Sequence, residues 1–425
     1  MRRSLRSFVT AGTAVASLVF GLTACGGSGG DGGGDILSQV RRGGVDPCAP
    51  TPGVDRGKIS LGMLYSGSPY AGDPSALFRA GVDARLGEAN AKGGINGRQL
   101  SYSVEDDEAA PELNAVGGRI LAQRDRALGI LQFSVAAVGS AKSLESTGVP
   151  VVDGQITDPS LSPRSNVFSY SRPTVEEPTS SGWGEFLANR GARRAVTVSL
   201  ELSSATRAMA RAAEKSVRAA GLKVSDNLQV PDGSFDADQF VDQVRDSGAD
   251  SIIAFVPAPN FYQIVAAVQD ADLGLKAILG NPTSYDRSQL ARVGDSAAGA
   301  YAFLDYTPFE FNTPAHRRFL AAMAAYAPQA AALPDGTALI GWISADLLLR
   351  AIAAAGVCPT RAGVLAGLRH QTRFDADGLL PAPINLSKGV ADIAPCYDYV
   401  QVTPDGKKFV PVPGKPRCGR ILPAS

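Results

Sequence analysis

From Lys58 onward the chain alternates short apolar runs with longer helical stretches, and few folds accommodate that alternation. Ile59 to Tyr65 predicts a strand, and Asp73-Pro74 supplies an N-cap and a proline at the first helical position for a helix to about Ala91. A turn over Gly93–Arg98 precedes a strand at Leu100–Glu105, and Pro111 opens a helix with Leu113, Val116, Ile120 and Leu121 on one face. Leu128–Phe133 and Val149–Val152 read as further strands. The pattern then repeats, with strands at 195–200, 223–230, 251–256, 277–279 and 300–304. Helices fall at 203–220, ended by Gly221, then at 235–247 and 261–271. Helices at 315–326, 338–355 and 361–369 precede a hairpin, 397–402 and 408–412, turned by Thr403-Pro404-Asp405-Gly406. About ten to twelve strands exceed one comfortable sheet, so the expected fold class is α/β with two doubly wound lobes. Connections near Arg172–Thr174 and Asp305–Thr307 are where the chain would cross between them. In such sheets ligands bind beyond the carboxyl ends of the strands, which makes the loops after each strand the candidate site.

The N-terminus reads as an address. Arg2, Arg3 and Arg6 precede an uncharged run from Phe8 to Leu22, too short for a comfortable membrane span. Leu22-Thr23-Ala24-Cys25 resembles the lipobox of bacterial lipoprotein signals, in which the cysteine is lipidated after cleavage before it. The plainer alternative is an ordinary signal peptide with an incidental cysteine. Residues 26–34, GGSGGDGGG, favour the anchor, because this composition makes a tether and buries no core. Residues 1–24 are thus expected to be a signal peptide, and 25–57 a lipidated cysteine with its tether. Cleavage removes three arginines from 41 basic residues and nothing from 41 acidic ones, leaving about −3. The expected location is the extracytoplasmic face of a bacterial membrane, held by lipid alone. In that oxidising setting Cys48, Cys358, Cys396 and Cys418 form an even set with three possible pairings. Cys358–Cys396 and Cys48–Cys418 are favoured, since the second would join the chain ends. A zinc site is the rival, without a C-x-x-C or a neighbouring histidine to support it.

Balanced charge argues against a strongly basic nucleic-acid binder. No G-x-S-x-G, G-x-x-x-x-G-K-[ST] or H-E-x-x-H occurs, so no constellation carries a reaction and no enzyme activity, metal or cofactor is expected. Asp106 and Asp107 read as strand-ending, helix-capping residues rather than a catalytic pair. His316, beside Arg317 and Arg318, reads as solvated, and His370 as a partner of a helix C-terminus.

The run Asn90-Ala91-Lys92-Gly93-Gly94-Ile95-Asn96-Gly97-Arg98, before a strand ending in Asp106-Asp107, resembles the type I periplasmic-binding proteins, specifically the leucine/isoleucine/valine-binding group. Gly148-Val149-Pro150, Gly299-Ala300-Tyr301, Gly378 and the 397–412 hairpin extend the resemblance over about 58–412. It implies two Rossmann-like lobes joined by a three-strand hinge, closing on a small solute for an ABC permease, with no cofactor. Lobe 1 would be 58–173 plus 305–394, and lobe 2 would be 174–304 plus 395–425.

Pocket positions follow from the same resemblance. Ser66, Ser68 and Tyr70 lie in the loop after the first strand. Phe133 and Ser134 stand where the family sets donors for a ligand carboxylate, although Val135, Ala136 and Ala137 replace the usual serine run. Thr157, with Gln155 before it, matches the family's threonine. In lobe 2 the usual tyrosines and ammonium-binding acid are missing, leaving Glu201, Asn260 and Asn281 as polar candidates and Glu176 or Glu177 as substitute acids. The expected solute is a small amino acid, amide or organic acid, with Ser134 and Thr157 donating to its polar head. A ligand sensor of the same fold, signalling to a partner receptor, is the alternative.

Overall fold

The computed structural model describes residues 48, 51–67, 74–173, 179–332, 335–390 and 393–423. Cys25, Ser68, Tyr70, Glu176 and Glu177 lie outside the described residues. The first lobe begins with β1 (Val54–Asp55), β2 (Lys58–Tyr65), α1 (Pro74–Ala91), β3 (Gln99–Asp106), α2 (Pro111–Arg119), β4 (Ile130–Phe133), α3 (Val138–Ser146), β5 (Val151–Asp153) and β6 (Val167–Phe168). The second contains β7 (Thr179–Ser180), α4 (Gly182–Asn189), β8 (Arg194–Leu200), α5 (Ser204–Ala219), β9 (Lys223–Val224) and β10 (Leu228–Val230). It continues through α6 (Ala237–Ser247), β11 (Ser251–Phe255), α7 (Ala258–Asp270), β12 (Ala277–Gly280), α8 (Arg287–Val293) and β13 (Tyr301–Leu304). Three helices, α9 (Pro314–Tyr326), α10 (Gly336–Ala354) and α11 (Arg361–Arg369), return to the first lobe, where α9 and α10 both pack on α1. The chain ends in the second with β14 (Cys396–Val402), β15 (Phe409–Pro411), β16 (Arg417–Cys418) and β17 (Ile421–Leu422).

Two sheets carry this order. In the first, β3-β2-β4-β5-β6 are parallel and β1 is antiparallel on β2. In the second, β10-β8-β11-β12-β13 are parallel, and β14 and β15 continue it antiparallel. Strands buried on both faces explain the continuous apolar runs Ile252–Phe255 and Tyr301–Leu304. α10 is long and apolar enough to cross a membrane by composition, but its side chains are buried against α1, α11 and the first sheet, which makes it a core helix.

Glycines let α1 and α10 meet backbone to backbone. A Cβ on Gly81 would lie 1.8 Å from the Ala338 carbonyl oxygen, and one on Gly341 would lie 2.0 Å from that of Phe78. The same economy alters the expected face of α2, of which Leu121 is buried and Ile120 half-buried. Leu113 and Val116 are exposed, whereas Asn114, Gly117 and Gly118 are buried. A Cβ on Gly118 would come within 2.5 Å of Ser140 on α3, so close helix approach, not aliphatic side chains, sets which face turns inward.

The disulfide pairing also differs from expectation: Cys48 bonds Cys358, and Cys396 bonds Cys418. Cys418 lies on β16 directly opposite Cys396 on β14, so the sheet register makes that pair. Cys48 lies near the amino ends of β2 and β3, where Arg98 donates to the Asp55 and Val357 carbonyls at 2.9 Å each. His316 departs from its solvated reading as well. It is buried, hydrogen-bonding Thr313 in a capping box and the Thr307 carbonyl at 3.0 Å, and burial lowers its pKa.

Candidate functional site

Strand order locates the crevice in each lobe. After β2 the chain moves outward to β3 and then returns across β2 to β4, so the order reverses between β2 and β4. The second sheet reverses likewise between β8 and β11. Helices on opposite sides leave a gap at such switch points, beyond the strand carboxyl ends. Ser66 follows β2 and Ser134 follows β4, placing both at the first switch point. Glu201 follows β8 at the second, opposite the turn that leads from β11 into α7.

The first switch point holds a buried hydrogen-bond cluster. Ser66 Oγ donates to Asp107 Oδ1 at 2.7 Å, and Ser134 Oγ donates to Asp107 Oδ2. Asn114 Nδ2 reaches the same Oδ2 at 2.7 Å, and the Ala109 N–H reaches Oδ1 at 2.9 Å. The two hydroxyl oxygens lie 3.2 Å apart and accept from the Val135 and Ala136 N–H groups at 3.2 and 2.9 Å. Ser134 therefore gives its proton to Asp107 in this arrangement. Phe133 stacks on Phe78, ring centroids 4.8 Å apart, and forms a wall below the cluster.

The neighbouring loop rests on a second buried pair. Gln132 on β4 donates to Asp153 on β5 at 2.8 Å, and Asp153 accepts the Gln155 N–H at 2.9 Å. Burial pushes the Asp153 carboxyl up to about 7 against those two hydrogen bonds. The Gln155 side chain is exposed and Thr157 half-buried, both on the loop that Asp153 braces.

Lobe 2 offers a sparser surface. Glu201 is exposed, and its carbonyl accepts from Arg207. Asn260 is buried and spends its amide on the 231–233 loop, donating to the Pro231 and Gly233 carbonyls at 2.9 and 2.8 Å. The Asn281 carbonyl oxygen Oδ1 accepts from Thr283 at 2.8 Å. Leu202, 97% exposed, projects from the loop after β8. Sequence reasoning missed Asn114, Gln132 and Asp153. For Gln132 and Asp153 the signal was a polar residue interrupting an apolar strand, as in Ile-Leu-Gln-Phe and Val-Val-Asp; Asn114, on α2, carried no such signal.

Between the lobes, Tyr170 donates to both Asp305 oxygens at 3.2 Å. With Arg172, Ile393, Pro395 and Tyr397 they line a small cavity where three chain connections run side by side. Burial raises the Asp305 pKa, opposed by hydrogen bonds from Ser171 and Tyr170.

A family model described as "Periplasmic binding protein" matches residues 58–407. The chain belongs to that family. A Leu/Ile/Val-binding protein homolog 7 of Brucella abortus is 26% identical over 311 residues, 69% of this chain and 76% of its own length. A leucine-, isoleucine-, valine-, threonine- and alanine-binding protein of Pseudomonas aeruginosa is 24% identical over 59% of this chain and 67% of its own. Among solved structures, a branched-chain amino acid ABC transporter protein from Thermus thermophilus with bound valine superposes with a TM-score of 0.72 at 18% identity. It covers 85% of this chain and 97% of that one. An R. palustris solute-binding protein in complex with 4-hydroxybenzoate gives 0.70 at 19% identity, with the same coverage. At such identities the superpositions show the fold: mixed α/β with parallel sheets, of the type I periplasmic-binding kind. These relatives and neighbours are solute-binding proteins, and the chain stands with them rather than with enzymes.

Proposed function

We propose that this is an extracytoplasmic solute receptor that captures a small polar molecule by hinge closure and delivers it to an ABC importer in the membrane. Removal of residues 1–24 would leave Cys25 as the lipid-bearing N-terminus. Lobe 1 is taken as 58–173 plus 305–394, and lobe 2 as 174–304 plus 395–425. The observation that carries the reading is the pair of switch points, one per sheet, in a chain whose family match spans both. Relatives named for branched-chain amino acids, and neighbours solved with valine or 4-hydroxybenzoate, support an amino acid, an amide or a small organic acid as the solute. A solute touching both lobes has more contacts when they are closed, and that differential affinity is what drives closure.

The test is a thermal-shift screen of the lipid-free mature protein against amino acids, amides, aliphatic and aromatic acids and polyols. A ligand of the native state raises the midpoint by mass action, so a micromolar binder at millimolar concentration gives a clear shift. No shift across the panel would count against the solute-binding reading. For the anchor, Cys25→Ser is expected to move the protein from the membrane fraction to the soluble one.

A further inference from the structure

We infer that Asp107 is a positioning residue that sets the hydrogen-bonding polarity of the lobe 1 crevice. Ser66 then meets a solute as an acceptor, and the group it recognises is a donor, an ammonium or a primary amide, rather than a carboxylate. The inference rests on the solute-binding reading and narrows it.

An ionised carboxylate only accepts, and a serine hydroxyl has a single proton to give. Asp107 is fully buried and takes the protons of both serines. Ser66, half-buried, retains lone-pair capacity beyond the Val135 N–H, whereas Ser134, buried, already accepts from the Ala136 N–H at 2.9 Å and from Asn114 Nδ2 at 3.4 Å. Asn114 keeps the arrangement from reversing. Its Oδ1 accepts the Ser140 N–H at 2.8 Å, which fixes the amide with Nδ2 toward Asp107 and leaves no oxygen to compete for the hydroxyl protons.

Two backbone N–H groups at the rim are also engaged by a carboxylate. The Gly67 and Glu108 N–H groups, at 2.8 and 2.9 Å, both point at Asp106 Oδ1, whose side chain stands exposed at the rim. A carboxylate brought here would meet hydroxyl lone pairs beside an acidic rim. To bind it, a serine would have to withdraw its proton from Asp107, leaving a buried carboxylate short of a donor, and that is costly. An N–H group from a solute meets the Ser66 oxygen with no rearrangement.

Matched pairs provide the test: isovaleramide against isovalerate, and benzamide against benzoate, titrated calorimetrically into the mature protein. The expected wild-type preference is for the amide in each pair, by about tenfold for one hydrogen bond gained against one lost. Asp107→Asn preserves size but turns an N–H toward one of the two serines, which takes away the acceptor that held its hydroxyl proton. The amide preference should fall by about tenfold, a change in ratio that a merely structural defect would not produce. Should that variant fail to fold, Ser66→Ala decides, with amide binding weakened and carboxylate binding unaffected. A wild-type preference for carboxylates, an unchanged ratio in folded Asp107→Asn, or Ser66→Ala weakening carboxylates alone would each overturn the inference. Binding confined to solutes with neither group, such as polyols, would overturn it while leaving the receptor reading intact. Silence from every class would remove both.

Discussion

Gly81→Ala separates two opposed effects with a predicted sign. Within an isolated helix the change gains about 1 kcal/mol, because glycine is the poorer helix former. In this fold the new methyl would lie 1.8 Å from the Ala338 carbonyl oxygen and 2.9 Å from the Trp342 nitrogen, both rigid backbone of α10. Real contacts of this kind stay beyond 3.0 Å, so α1 and α10 must part. The required shift, at least about 1 Å, loosens the seam around Phe78, Val82, Leu339, Trp342 and Ile343, where a gap of that size forfeits much of the dispersion attraction. Overpacking of this kind costs about 1–3 kcal/mol and more where backbone must move. Set against the propensity gain, the expected result is a net loss of about 2 kcal/mol. Urea unfolding followed by circular dichroism should show the midpoint falling at unchanged slope. A midpoint equal to or above wild type would mean the helices do not touch at Gly81, and would refute the close crossing.

Two further predictions concern cross-links and pH. The Cys48–Cys358 bridge spans 310 residues and Cys396–Cys418 only 22. On chain entropy alone these contribute up to about 5–6 and about 3 kcal/mol, so the double serine variant of the first pair should unfold at lower urea than that of the second. The reverse order would show that unfolded-state entropy is not what these bonds supply. Asp153 is raised to about 7 in the fold, against roughly 3.9 in an unfolded chain. The unfolded state then binds fewer protons between those values, and this group's contribution to stability falls as pH rises through the window. Asp153→Asn removes the titration, so its stability relative to wild type should improve between pH 5 and pH 8 by about 2–3 kcal/mol. Glu88, lowered to about 2, titrates below the window, and Asp398, raised to about 6, cancels in the difference. A constant offset between the two proteins at both pH values would refute a raised Asp153.

Legibility followed the strength of local signals. The helix expected from Asp73-Pro74 to Ala91 is α1, and the expected strand at Ile59–Tyr65 is β2 less its first residue. Pro at N1 and a continuous apolar run are unambiguous over a few residues. α3 and α8 went unseen, because Val-Gly-Ser-Ala-Lys-Ser-Leu-Glu-Ser and Arg-Ser-Gln-Leu-Ala-Arg-Val carry little periodic apolar signal and owe their helicity to what they pack on. The expected strand at 223–230 is two short strands, β9 and β10, flanking Ser225–Asn227. At the site, the loops were legible from strand ends, and Ser66 and Ser134 do meet. The direction of their protons was not legible, since it depends on Asp107 and Asn114 arriving from another strand and helix. Disulfide pairing failed for the same reason: Cys358 meets Cys48 across 310 residues, a distance no local pattern measures.

The Cys48–Cys358 bond also defines a load path. It joins the chain beside the amino ends of β2 and β3 to the segment just after α10, at the edge of the sheet remote from the crevice. On the proposed anchor at Cys25, Cys48 stands 23 residues further along the sequence from the lipid-bearing position. Tension from a moving membrane would enter one rigid body at its base and stop at a covalent clamp, short of the hinge. On that proposal the tethered half would be the stator and the other half the swinging jaw, whose motion the bilayer would neither pull shut nor hold open.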